Sequence, residues 1–472
     1  MSEVREQHQG GDLMSASMTR TKTPEGGHSG PPKSGLEKLA TGGDGVQTEL
    51  GCLPADWRVD RFDSVFDVQQ GRQVSKANRV GDNQRPFLRT KNVFWNRLDL
   101  ANLDEMHFSE ADESRLAMKP DDLLICEGGD IGRTAIWGGL ISRCYYQNHL
   151  HRARIRDSNT ADAQFVLYWL WYAFEFGHLY FGRGNVTTIP NLSQSKLREL
   201  PLAVPPLAEQ RKIAAVLGVV QRAMEQQERL LALTAELKKA LLHQLFTQGL
   251  RGEPQKQTDI GPVPESWDVV ALQDICTFLS GGTPSKQKPE FWMGSIPWVS
   301  PKDMKRPRLS DVSDHISEAA LKDGSSLAPA GGVFVVIRGM ILAKDVPVAL
   351  AEVPMAFNQD MKAIIPGPRI VPSFLLYAMV AFKQNLFQKV GRSAHGTMTL
   401  MSSELAKFSI PLPDKSTQRE VAEAIETIER KHQQHQRKHA ALTDLFRTLL
   451  HQLMTVQLRV NELDLSGLES KG

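Results

Sequence analysis

The chain repeats itself at an interval of about two hundred residues and closes each copy with a long run of helix-forming residues. Trp57 follows Leu53-Pro54 as Trp267 follows Val263-Pro264, a shift of 210. Pro86 to Val93 aligns with Pro297 to Met304 at 211, and Leu123 to Gly128 aligns with Phe334 to Gly339 at the same shift. Gln210-Arg211 returns as Gln418-Arg419, and Leu241-Leu242-His243-Gln244-Leu245 returns unchanged as Leu449-Leu450-His451-Gln452-Leu453. A duplication of this size predicts two pseudo-symmetric units, and single motifs have to be read as pairs.

With 472 residues and 41% hydrophobic composition, the chain can bury a core in each of two domains. A formal net charge of +2 carries no message about a polyanionic partner, so such a role must rest on local clusters. Cys52, Cys126, Cys144 and Cys276 have no metal-ligand spacing, and the N-terminus lacks signal-peptide features, which together predict a reducing, cytoplasmic setting. The aromatic stretch from Phe165 to Phe181 is short for a membrane span and contains Glu175 and His178. It reads as a helix packed inside a domain.

The order along the chain is leader, domain, helix, domain, helix. Residues 1–48 are rich in Gly, Ser, Thr and Pro and read as a disordered leader, with Met14 and Met18 as further candidate starts. Mixed short apolar runs and glycine turns over 49–206 predict a first α+β domain; 207–249, free of proline, predicts a first spacer helix. A linker at 250–260 leads to a second domain at 261–413, a second spacer helix at 414–458 and a tail at 459–472. Steps of four and three place Ile213, Leu217, Val220, Met224, Leu231, Leu241 and Leu245 on one seam of the first helix, with Gln227, Thr234 and Lys238 between them. The seam of the second carries Val421, Ile425, Ile428, His432, His435, His439, Leu442, Phe446, Leu449 and Leu453. Two complementary seams predict an antiparallel coiled coil between two α+β domains, with the three histidines forming a polar layer near Gln227 that is favoured over a metal site.

Catalytic constellations are weak. Gly30 to Gly35 has phosphate-loop glycine spacing, but Leu36 stands where lysine is required. Gly182-Arg183-Gly184-Asn185 follows an aromatic helix where a cofactor turn would follow a strand. Asp345 with Asp360 and Lys362 has the composition of a metal-dependent nuclease triplet, yet the first copy offers Gln147-Asn148-His149 instead. Recognition chemistry is better represented. In the first domain Gln70, Arg72, Lys76, Lys91, Asn92, Arg133, Gln147, Asn148, Arg183 and Asn185 fall on turns; in the second, Ser285, Lys286, Lys302, Asp303, Arg338, Lys344, Asn358, Gln359 and Arg392 do. Arg and Lys bond guanine edges or phosphates, and Asn and Gln match adenine, so these are candidate DNA contacts.

Together these motifs make the chain resemble the specificity subunit of type I restriction-modification systems, throughout everything after the leader. The resemblance is carried by Pro54-Ala55-Asp56-Trp57 and Pro264-Glu265-Ser266-Trp267, Gly281-Gly282-Thr283-Pro284, Ile296-Pro297-Trp298 to Asp303-Met304, and Val204-Pro205-Pro206-Leu207-Ala208-Glu209-Gln210-Arg211. The second helix entry, Pro411-Leu412-Pro413-Asp414-Lys415-Ser416-Thr417-Gln418-Arg419, and the first turn, Gln70-Gly71-Arg72-Gln73, depart from that pattern. The resemblance implies a non-catalytic chain that reads double-stranded DNA, one half of a split asymmetric site per domain. It also implies helices that dock two modification (methyltransferase) subunits, with motor-nuclease restriction subunits joining them. S-adenosylmethionine, ATP and magnesium would then belong to the partners, and no cofactor or metal to this chain. Alternatives are a nuclease or methyltransferase with an unrecognised site, the recognition subunit of a type IIB-like restriction enzyme, or an assembly protein with no DNA role.

Overall fold

A computed structural model describes residues 45–180, 191–393 and 396–463. Two compact units emerge: residues 1–214 with 450–472, and residues 215–449. The C-terminal end of the second long helix therefore packs with the first domain. This division follows packing and departs from the linear domain-helix order.

The first unit opens with a hairpin, Gly45–Thr48 against Gly51–Pro54. Residues 45–48 thus belong to the fold, which corrects the leader's boundary at 48; the rest of that segment lies outside the described residues. An identical hairpin, Gln255–Thr258 against Gly261–Pro264, opens the second copy. In both, the threonine hydroxyl (Thr48, Thr258) donates to the carbonyl of a glycine (Gly51, Gly261) at 2.7 Å. Those glycines sit at φ of 113° and 110°, a region that costs a side-chain-bearing residue dearly.

Each unit is built on two sheets. In the first, strands run in the order Thr134–Ile136, Leu123–Cys126, Leu150–Ile155 and Phe66–Gln70, beside a second sheet of Tyr145–Tyr146, Gln84–Leu88 and Asp104–His107. The second unit has Val348–Ala351, Val333–Val336, Met361–Pro366 and Cys276–Ser280 in the corresponding order, extended by Arg308–Leu309. Leu123–Cys126 and Val333–Val336 are buried along their whole length, as expected for strands covered on both faces. The aromatic stretch forms helix α1 (Ala163–Trp171), capped by Asp162, whose carboxylate accepts from the Phe165 N–H, and continues as one π turn through Phe176. Residues 163 and 165–170 are buried, so its apolar surface is spent on the domain core. No helix among the described residues is long and apolar enough to cross a membrane.

Helix α2 (Leu207–Gln248) ends at Gly249, which takes φ 67° and donates its N–H to the Leu245 carbonyl, the usual glycine stop. Helix α4 (Lys415–Met454) follows Pro413 with Asp414-Lys415 where α2 follows Pro205 with Pro206-Leu207. Its entry Asp414 accepts from the N–H groups of Ser416 and Thr417, which satisfies free donors of the first turn. Hydrogen bonds from Thr417 lower the Asp414 carboxyl below its ordinary value. The second helix entry is thus a different cap with the same result.

Within the second unit the two helices run antiparallel: Gln227 meets His435, Thr234 meets His432 and Lys238 meets Glu429, so residue numbers rise on one as they fall on the other. His435 Nδ1 lies 2.8 Å from Gln227 Oε1, His432 Nδ1 lies 2.8 Å from Thr234 Oγ1, and His439 Nε2 lies 3.3 Å from Glu228 Oε1. The histidine centre is a hydrogen-bonded layer. All seam positions from Ile213 to Leu245 and from Val421 to Leu453 are buried or half-buried.

One surface of the first unit depends on charge. Burial works to raise the Glu113 carboxyl, but hydrogen bonds from Arg143, Asn83 and Arg85 outweigh it and bring the group from 4.5 down to about 2. A carboxylate depressed on folding stabilises above its unfolded value, and that contribution is lost as pH falls from about 4.5 through about 2. Glu113→Gln should therefore flatten the fall in melting temperature of the first unit over that window. An unchanged acid limb in differential scanning calorimetry at stepped pH would contradict the assignment.

Candidate nucleic-acid interface

Strand register gathers three loops at one edge of the main sheet in each unit. In the first unit Gln70 pairs with His151 and Cys126 with Leu150, which brings the loops after Gln70, after Cys126 and before Leu150 together. In the second, Ser280 pairs with Lys362 and Val336 with Met361, with the same consequence. Glycine makes the close approach possible. A Cβ on Gly71 would lie 2.2 Å from the Gln147 carbonyl oxygen, and one on Gly281 would lie 2.3 Å from that of Asn358. Both contacts are with backbone, so neither position tolerates a side chain without moving a strand.

The candidate contacts separate on this frame. Gln70 is half-buried and donates to the Asn148 carbonyl at 2.9 Å and to Glu127 at 3.3 Å. Arg72 pairs with Asp112 and donates to Asn78 Oδ1 at 3.0 Å, while its guanidinium lies over Phe108. Its side chain is therefore largely committed to the domain. Asn92 is 2% exposed and its amide is used within its own turn, accepting from the Arg89 N–H and donating to the Asp99 carbonyl. Gln147 is 5% exposed. In this structure both side chains are enclosed within the domain. Arg133 donates to the Thr90 carbonyl at 2.8 Å, pairs with Asp130 and covers the Phe94 ring.

In the second unit Asp303 plays the turn role of Asn92, accepting from both the backbone N–H and the hydroxyl of Ser300. It too is structural. Lys91 and Lys302, one residue before each, are held at 3.0 and 2.7 Å by Asp104 and Asp314, which keep both ammonium groups at the same place. Side-chain hydrogen bonds from Arg89 and Lys91 lower the Asp104 carboxyl, and the bond to Asp314 raises Lys302. Thr283, Asn358 and Gln359 form one cluster, with Asn358 Nδ2 donating to Thr283 Oγ1 at 3.0 Å. Ser285 accepts from the Gln287 N–H, whereas Lys286, Lys344, Arg392 and, in the first unit, Lys76 are exposed. Arg338 is exposed beside Asp360, and a bridge links it to Thr399 on the hairpin that carries Arg392. Arg183 and Asn185 lie outside the described residues.

The nuclease triplet does not assemble. Asp345 pairs with Lys383 at 2.9 Å, Asp360 faces Arg338, and Lys362 donates to Ser280 Oγ at 2.6 Å. Among the described residues no group of three His, Cys, Asp or Glu side chains is placed to hold a metal ion. Glu127 and His149, which are absent from the candidate DNA contacts, sit at the centre of the first edge, and the repeat shift of 211 places Glu127 on the candidate Arg338.

Comparison with known proteins agrees with this architecture. The pattern described as "Type I restriction modification DNA specificity domain" matches residues 54–235 and again 264–444. The chain is 32% identical over 276 residues to the EcoR124I/EcoR124II specificity subunit of Escherichia coli, covering 58% of this chain and 65% of that one. It is also 32% identical over 215 residues to the MjaIX specificity subunit of Methanocaldococcus jannaschii, covering 43% and 48%. The matched stretch thus spans just under two thirds and about half of the length of these relatives. The fold is similar to the crystal structure of a type I restriction-modification S subunit from M. genitalium, at a TM-score of 0.54 and 16% identity, over 84% of this chain and 95% of that one. With the specificity-domain pattern matched twice over most of its length, the chain belongs to the type I restriction-modification DNA specificity family.

Proposed function

We propose that this chain is the non-catalytic DNA-reading subunit of a type I restriction-modification complex, each unit selecting one half of a bipartite, asymmetric sequence. The observation that carries this reading is the three-loop edge, built twice by the same strand register and the same glycine contact but lined by different polar side chains. Equal scaffolds with unequal linings suit two different half-sites. Backbone phosphates would meet exposed cations such as Lys76, Lys286 and Lys344, and base edges the side chains at the loop tips.

The helices supply the other half of the reading. They leave Leu233, Leu237 and Leu445 exposed, and Leu237 and Leu445 are repeat equivalents at the shift of 208. Repeated apolar contacts suit docking of two copies of a modification subunit, one per repeat. Methyl transfer and cleavage then reside on partner subunits, together with S-adenosylmethionine, ATP and magnesium.

A matched insertion tests the spacer role. Seven residues added beside Gln227 and seven beside His435 keep the seam in register and lengthen both helices by about 10 Å. The gap in the methylated motif is expected to grow by about three base pairs at ~3.4 Å each while both halves stay the same. A motif with an unchanged gap would count against the helices as spacer.

A further inference from the structure

Glu127 and Arg338 occupy the same position in the two repeats, and so do His149 and Asp360, at the shift of 211. The same backbone bond joins each pair: the Glu127 N–H donates to the His149 carbonyl at 3.0 Å, and the Arg338 N–H to the Asp360 carbonyl at 3.2 Å. The side chains meet as well. His149 Nδ1 lies 3.6 Å from Glu127 Oε2, and an Arg338 guanidinium nitrogen lies 3.8 Å from Asp360 Oδ1.

The order of the two chemistries is reversed. In the first unit the carboxylate stands on the earlier loop and the nitrogen group on the later one; in the second unit they have traded places. Exposure follows the nitrogen group in both, with side chains 60% exposed at His149 and 57% at Arg338 against 13% at Glu127 and 32% at Asp360. Pairs this exposed contribute little to stability, so folding alone does not call for them. Glu127 is further fixed by Gln70 at 3.3 Å, which makes it an anchor for the imidazole.

Room for a partner lies directly beside each pair. Gly128 and Gly339 follow Glu127 and Arg338, and a Cβ on either would meet nothing within 4 Å. Gly128 has no left-handed backbone to account for it. Gly339 needs glycine for its φ of 130°, whereas at Gly128 neither crowding by the described residues nor backbone conformation requires it, and close approach of an external surface would.

We propose that Arg338 and His149 are the base-reading donors of the second and first units, each aimed by the carboxylate of its pair, and that their exchanged positions make the two halves of the site differ. This rests on the DNA-reading function proposed above. A guanidinium can donate twice to O6 and N7 of guanine, whereas an imidazole offers a single donor to a purine N7 or guanine O6. The second half-site therefore carries a guanine read by Arg338. The first carries a purine at the matching position, read by His149.

The test is single-molecule methylation mapping of DNA from cells expressing the full chain with its modification subunit, as wild type and as His149→Ala, Arg338→Ala, Arg338→Lys and Arg338→Gln. A bipartite wild-type motif establishes the underlying reading; its absence would sink that reading whatever the variants do. Given that motif, Arg338→Ala should relax one guanine in one half, with about tenfold or greater loss of discrimination there, and leave the other half intact. His149→Ala should relax one position in the opposite half only. Arg338→Lys should keep a weakened preference for the guanine, because an ammonium can still donate to O6 and N7 but lacks the planar fork, and Arg338→Gln should shift the preference towards adenine. The glutamine variant keeps the test open if the alanine variant fails to assemble on size-exclusion chromatography. An unchanged motif with methylation lowered evenly at all sites would identify these groups as phosphate contacts and overturn the proposal, as would relaxation of both halves by one substitution.

Discussion

Replacing Phe246 with alanine is expected to cost the second unit about 3–5 kcal/mol, the range for truncating a buried aromatic. Phe246 sits in the last turns of α2 at 1% exposure. Its ring centroid lies 6.3 Å from Trp267 in an edge-on contact, 5.3 Å from Phe374 and 5.9 Å from Phe382. The end of the helix is thereby nailed to the repeated Pro-x-x-Trp turn and to helix α3 (Pro372–Ala381), which gives the repeated Trp a structural reason. Urea unfolding followed by tryptophan fluorescence reads the loss directly. A change below about 1 kcal/mol would mean that the aromatic cluster is not what fastens the helix to its domain.

Gln210→Leu should destabilise the first unit by about 3 kcal/mol or more, although the substitution nearly preserves volume. The Gln210 amide donates to the carbonyls of Thr160 and Pro205 and accepts from the Asp162 N–H, so it ties the entry of α2 to the cap of α1. Removing it strands three backbone groups, each costing about 1–3 kcal/mol if left unpaired. Gln418 repeats the arrangement in the second unit, donating to Arg369 and Pro413 and accepting from the Val371 N–H. Gln418→Leu should therefore cost a similar amount, read by differential scanning calorimetry. A tolerant response at either position would show that water replaces the amide.

These two glutamines also mark what the sequence could and could not reveal. The Gln-Arg dipeptide is visible as a repeat, but besides a carbonyl five residues before it the partners of its amide are a carbonyl and an N–H some fifty residues away, which no local pattern encodes. The helix seam was legible because its period survives in single residues such as Leu217 and Ile425, and the histidine layer because polar groups interrupt that period at matching heights. Turn residues were harder. Asn92 and Gln147 have the chemistry of base readers, yet in this structure both side chains are enclosed within the domain. That distinction depends on which way a loop folds over its strand. The closing of the first unit by the C-terminal segment was hidden for a related reason. Arg459 pairs with Asp56 and Glu209, contacts across some four hundred and two hundred and fifty residues respectively. The Arg459 hydrogen bond lowers the Asp56 carboxyl, whereas burial raises that of Glu209, so one guanidinium serves two carboxylates of opposite tendency.

In the proposed function, one chain selects two different half-sites for partner subunits to methylate. Single-molecule methylation mapping of DNA from cells expressing the wild-type chain with its modification subunit tests this most directly. The expected result is one asymmetric motif with a fixed gap and methyl-adenine in both halves. A continuous motif, a palindromic one, or no motif from a complex verified as assembled would contradict it.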